Sequence, residues 1–191
     1  MKTRTFCLMF ALTALGCTTK ESSALVINKV VPPTAVTVAG PPVSTTCTLD
    51  PTVAELSYIA FNPAENLGTI GAVVTNQIVP NPSGNPLLTD ASGFQPHQAV
   101  IDYEVLSGAN NLGRQFSPVG GVVVAGSKTG TMAVVMFPQP GALAGVGDGV
   151  FIRTIFHIEG KLNDGSNAHT TEREYLFRVC LAAGCAKNVC L

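Results

Sequence analysis

The sequence predicts an all-β fold, an antiparallel β-sandwich of about seven strands over residues 47–191. Three observations predict it. The chain is rich in Val, Thr, Ile and Ala between frequent Gly (19) and Pro (13), the composition of short strands joined by turns. Several runs alternate apolar and polar residues with period 2, the mark of a half-buried strand. No stretch carries a sustained helical period with caps.

The candidate strands are 54–61, 69–79, 98–106, 121–125, 131–137, 150–159 and 171–181. In 98–106, Ala99, Ile101, Tyr103 and Val105 share one face and Asp102 and Glu104 the other. In the last run Tyr175, Phe177 and Val179 point inward, with Glu172, Glu174 and Arg178 outward. Runs 122–124 and 133–135 read as buried on both faces and joined by a hairpin from Gly126 to Gly130. Asp148 between two glycines, and Asn163-Asp164-Gly165, read as turns, where short polar side chains and Gly tolerate tight backbone. The arrangement resembles an immunoglobulin domain in architecture alone, because Trp is absent and the Cys…Trp…Cys core with it.

The chain opens MKTRTFCLMFALTALGC. Lys2 and Arg4 precede an apolar run of ten residues, Phe6 to Leu15, too short for a transmembrane helix of ~20 residues. This is the form of a secretory signal. Its ending, Ala14-Leu15-Gly16-Cys17, resembles the lipobox of bacterial lipoproteins. The resemblance covers residues 1–17 and departs from the commonest pattern, since Ala14 stands where Leu is usual. It implies cleavage before Cys17, a diacylglyceryl group on that sulfur, acylation of the freed amine, and localisation to the cell envelope. Thr18, not Asp, after the cysteine implies the outer membrane. The expected membrane contact is therefore through Cys17, since more than one acyl chain anchors stably where one does so marginally.

Residues 17–46 read as the lipidated cysteine and a tether rich in Pro, Thr and Ser. Proline favours extended chain, and 29 residues reach at most about 100 Å. The alternative is that 25–31 or 34–39 adds an edge strand to the domain.

Removal of the leader leaves 9 basic and 12 acidic residues. No basic patch or stripe exists, so no nucleic-acid partner is expected. Four cysteines remain: Cys47, Cys180, Cys185 and Cys190. In an oxidising envelope an even count implies disulfides. Every complete pairing joins Cys47 to one of the terminal three, and the reading favours Cys180–Cys190 with Cys47–Cys185. A loop of more than 130 residues would then be closed, worth about 4–5 kcal/mol in the chain-entropy model. The C-x4-C-x4-C spacing lacks the C-x2-4-C knuckles of zinc sites and the Cys-x-x-Cys of redox catalysts.

No HExxH, GxSxG, P-loop or calcium-loop pattern occurs. His97 opens a strand, His157 lies on a charged face with Arg153 and Glu159, and His169 sits in a polar loop; each reads as a solvated surface residue. Asp102 and Glu104 read as a charged solvent face. The expectation is no enzyme, no cofactor and no metal.

Function is sought in the loops. Segment 80–96 carries Leu87, Leu88 and Phe94; 107–119 carries Arg114 and Phe116; 138–148 carries Leu143 and Val146. If strands alternate direction, the last two emerge at one end with 62–67, and 80–96 emerges at the other with 161–170. Leu87, Leu88, Phe94, Arg114 and Phe116 are the candidate partner-binding residues, against the reading that such side chains fold back on the core. The function expected is a lipid-anchored structural or protein-interaction module, with an envelope protein as partner. The alternative is a carbohydrate- or small-ligand-binding lipoprotein, which would need a concave face lined with aromatics. Replacing Cys17 with Ser should move the protein from the membrane to the soluble envelope fraction on fractionation. Retention in the membrane would mean that lipid on Cys17 is not the anchor.

Overall fold

Period-2 alternation becomes strand along most of the chain. A computed structural model describes residues 24–39, 41, 44–65, 67–80, 92–107, 112–121 and 123–181. The strands are β1 (Leu25–Val31), β2 (Thr34–Val38), β3 (Ser44–Thr48), β4 (Ile59–Phe61), β5 (Thr69–Asn76), β6 (Phe94–Val105), β7 (Arg114–Gly120), β8 (Thr129–Val135), β9 (Phe151–Leu162), β10 (Asn167–His169) and β11 (Arg173–Val179). A short 3-10 turn covers Pro140–Leu143. The fold is all-β.

Nine strands form one curled, mixed sheet in the order β1-β5-β8-β7-β6-β9-β11-β4, with β10 added to β9. Its pairings are antiparallel except β11 with β4. β2 and β3 form a separate ribbon. β7 turns the corner of the curl: 114–118 pair with β6 and 119–120 with β8. Inside the curl, β1, β5 and β8 face β6, β9 and β11 across one core that holds Ile27, Val30, Ile70, Met132, Ile101, Phe156 and Phe177. Phe137 stacks on Phe61 at 4.4 Å and meets Phe177 edge-on at 5.1 Å, geometries that aromatic quadrupoles favour.

The inward faces of β6 and β11 hold the residues the alternation assigned to them: Ala99, Ile101, Tyr175, Phe177 and Val179 are buried, and Tyr103 and Val105 pack against the core. The strand ends flanking 62–68, 106–113 and 136–150 lie at one end, and those flanking 77–93 and 163–166 at the other. Leu143 and Val146 cover the core at the first end. Asp164 accepts hydrogen bonds from the Ser166 backbone N–H and hydroxyl, and Gly165 has φ +86°, as the turn required.

Three expectations change. First, residues 25–31 are not tether. β1 pairs with β5 along its length and buries Leu25, Ile27, Val30 and Val31, so the folded domain begins well before Cys47. Second, 107–119 is not one long loop. Its second half is β7, whose inward residues Gln115 and Ser117 are polar and so hide the alternation. Third, no described residue of 121–125 pairs with β8. Val124 instead bridges Phe94 through two backbone hydrogen bonds of 2.9 Å.

The curl closes at a seam. The outer edge of β1 meets side chains rather than a strand. Thr171 Oγ1 accepts from the Ile27 N–H at 3.2 Å, Glu55 Oε1 accepts from the Val30 N–H at 3.2 Å, and the Thr171 N–H donates to the Leu25 carbonyl at 2.8 Å. Arg173 Nη2 holds both oxygens of Glu55, at 2.7 and 2.8 Å. Edge groups that would otherwise template aggregation are thereby capped. At the C-terminal end of β5, the fully buried Asn76 donates to the carbonyls of Ser92 and Val124 and accepts from the Ile78 N–H, so its amide is satisfied in the core.

Each of the four buried β1 side chains contributes about 1.5–3 kcal/mol, a total comparable with the whole stability of an ordinary domain, about 5–15 kcal/mol. A chain starting at Cys47 should therefore lack a cooperative thermal transition by circular dichroism, whereas one starting at Ser23 should keep it. Cooperative melting of the shorter chain would refute this boundary.

Candidate functional site

The most featured surface is the outer face of β7, β6, β9 and β11. It follows from the inner one, because residues between core positions point outward. The β6–β9 ladder runs from Phe94↔Leu162 to Val105↔Ile152 and sets which charges meet. Asp102 on β6 lies opposite Arg114 on β7, and the guanidinium donates two hydrogen bonds to its carboxylate, at 2.9 and 2.8 Å. Those bonds hold the Asp102 carboxyl below its ordinary range and raise Arg114. One row on, Arg153 pairs with Glu104 and stands 3.9 Å from Glu174.

At the other end of the face, Gln98 Nε2 donates to Glu159 Oε2 at 2.8 Å, and His157 Nε2 lies 3.5 Å from Glu159 Oε1. The Gln98 bond, and then the neighbouring imidazoles, lower the Glu159 carboxyl. His169, at the end of β10, pairs in register with Glu159, and its ring centroid is 5.8 Å from that of His157. His97 sits at the bulge between Pro96 and Gln98. With Gln95, Pro96, Glu159, Gly160 and Lys161 it lines a shallow cleft of about 400 Å³. The bulge needs Gly160, where a Cβ would stand 2.1 Å from the Gln95 carbonyl oxygen.

The candidate residues are scattered across this structure. Phe94 is no loop tip: it begins β6 and is wholly buried. Arg114 and Phe116 lie on β7, not in a loop. Phe116 is 58% exposed and sits opposite Val100, which is only 4% exposed although it too faces outward. Cys17, Leu87, Leu88, Cys185 and Cys190 lie outside the described residues. Cys47 is on β3, and the buried Cys180 follows β11. Asp102, Glu104 and His157 do not converge in a cleft; each is engaged with its own partner along the face. Elsewhere, burial raises the phenols of Tyr103 and Tyr175, whose hydroxyls donate to the Met136 and Leu56 carbonyls.

Sequence reasoning treated the three histidines singly. Only the register brings His157 and His169 to one carboxylate. The turn at Asn163-Asp164-Gly165 was the available signal, since counting back along that hairpin places His169 opposite Glu159.

Asp50, Asp102, Glu159 and Asp164 all have lowered carboxyl values, from hydrogen bonds donated by Thr52, Arg114, Gln98 and Ser166 in turn. A carboxyl more acidic folded than unfolded stabilises above its unfolded value, about 4, and loses that contribution as pH falls through the folded one. The melting temperature should hold from pH 7 to about 5 and decline below about 4. Asp102→Asn should melt slightly lower at pH 7 and show a shallower acid decline; an identical profile would mean that the Arg114 pair contributes nothing.

No protein-family model, curated protein or solved structure matches this chain.

Proposed function

We propose that this protein is a lipid-anchored component of the bacterial cell envelope, held at the outer membrane through Cys17, that binds another envelope protein through the outer face of its curled sheet. The observation that carries the reading is Phe116. It is a large aromatic side chain standing in solvent at 58% exposure, beside the Arg114–Asp102 pair and across from Val100. Interfaces favour an exposed aromatic anchor with Arg nearby and a charged rim. For Phe94, Arg114 and Phe116 the loop reading gives way to a strand-face reading, because Phe94 is buried at the start of β6 and the other two lie on β7. A carbohydrate site would want aromatics on a concave surface, and Phe61, Phe94, Phe137, Phe156 and Phe177 are instead interior.

Two structural readings accompany this. The curled sheet is taken as a sandwich whose layers share β7, immunoglobulin-like in shape. The cysteines are taken as staples, Cys47 with Cys185 and Cys180 with Cys190. Cys180 donates its N–H to the Phe61 carbonyl at the end from which the β2–β3 ribbon departs, which supports a crosslink tying ribbon to C-terminus.

The test is crosslinking in native membranes, capture of the full-length protein and identification of its partner by mass spectrometry. Phe116→Ala should reduce capture at least tenfold while leaving the thermal melt unchanged, the usual loss for an anchor worth above ~1.4 kcal/mol. Equal capture by the variant would remove Phe116 from the interface.

A further inference from the structure

We propose that His157, Glu159 and His169 form a binding site for a divalent transition-metal ion of zinc's class. The three come from two paired strands. His157 and Glu159 are two apart on β9 and so project from the same face, and His169 lies directly across from Glu159 on β10. Imidazole and carboxylate together suit zinc, copper, nickel and iron.

The spacings are close to what coordination requires. In a tetrahedral zinc site with bonds of 2.0–2.2 Å, neighbouring donor atoms stand about 3.3 Å apart and two imidazole centroids about 5 Å apart. Here His157 Nε2 is 3.5 Å from Glu159 Oε1, and the two ring centroids are 5.8 Å apart. As the side chains stand, no three His, Cys, Asp or Glu among the described residues, these three included, are placed to hold a metal ion. The difference is closed by rotation of the rings, since His169 is exposed and His157 half-buried, and rotamer changes at such positions take only ps–ns.

The surrounding groups are those that orient metal ligands. His169 Nδ1 lies 3.1 Å from the Thr170 carbonyl oxygen. A carbonyl can only accept, so Nδ1 carries the proton and Nε2 the lone pair. A ligand imidazole is characteristically held this way. Gln98 Nε2 holds the second oxygen of Glu159 at 2.8 Å, leaving Oε1 on the side of His157.

The site is tested with Zn²⁺ itself, by isothermal titration of the purified, oxidised protein at pH 7.5. One ion per chain should bind. His157→Ala and His169→Ala should each weaken it at least tenfold, and the double variant should abolish it. Gln98→Leu should weaken binding about tenfold by releasing the carboxylate, in the range found for outer-shell partners. All variants should keep the thermal melt of the metal-free parent, which separates loss of ligands from loss of fold. Absence of binding at millimolar Zn²⁺ would overturn the proposal, as would undiminished binding by the double variant, which would place the ion on other residues.

Discussion

The register between β6 and β9 is the constraint on which most of the structure depends. Eleven residue pairs join the two strands. On one side they place Ala99, Ile101, Phe156 and Ile158 in the core. On the other they align Glu104 with Arg153 and Gln98 with Glu159. A slip by one residue would exchange the two faces, putting charges inside and Phe156 in solvent. The single irregularity, the bulge at His97, is secured by the close approach of Gly160 to the Gln95 backbone. Interior packing and the surface charge pattern are thus two readings of one pairing.

Closure of the curl is a separate matter, achieved with polar groups. β1 is an edge strand whose outward N–H groups are met by Thr171 and Glu55, with Arg173 neutralising the carboxylate. This leaves the edge without unsatisfied donors at Ile27 and Val30 and without a template for foreign strands. Asn76, at the C-terminal end of β5, is a second polar tie, where a single buried amide joins the approach to β6 to the segment around Val124. An amide as fully paired as that of Asn76 adds specificity to a core that is mostly hydrocarbon.

Much of the fold was legible because apolar alternation is a physical requirement of a half-buried sheet. The inward faces of β6 and β11, the turn at Asp164 and the grouping of the loop-flanking strand ends follow from it. β7 was illegible because its buried positions are Gln115 and Ser117, whose interior placement rests on tertiary partners such as Tyr103. β1 was ambiguous because its alternation sits beside Pro32-Pro33, which reads as extended spacer. Of the candidate site, Phe116 was found on chemistry but assigned to the wrong kind of element. Phe94 was misplaced because an aromatic among prolines looks like a loop residue until its strand partner is known. The grouping of His157, Glu159 and His169 depends on cross-strand register, a relation between distant residues that composition does not carry.

The incorporation of β1 into the sheet limits how a lipid on Cys17 could carry the domain. If Cys17 bears the lipid, residues 18–24 are all that separates it from Leu25, a leash of at most about 25 Å. β6 and β9 have twelve residues each, which makes the domain about 40 Å tall at ~3.3 Å per residue. A body taller than its leash, attached at one end, can lean but cannot invert. With that anchor, the end where β5 stops and β6 begins would stay toward the headgroups. On that anchor the face with Phe116 would stand upright, side-on to the bilayer. A protein anchored in the same leaflet would meet it by lateral diffusion alone.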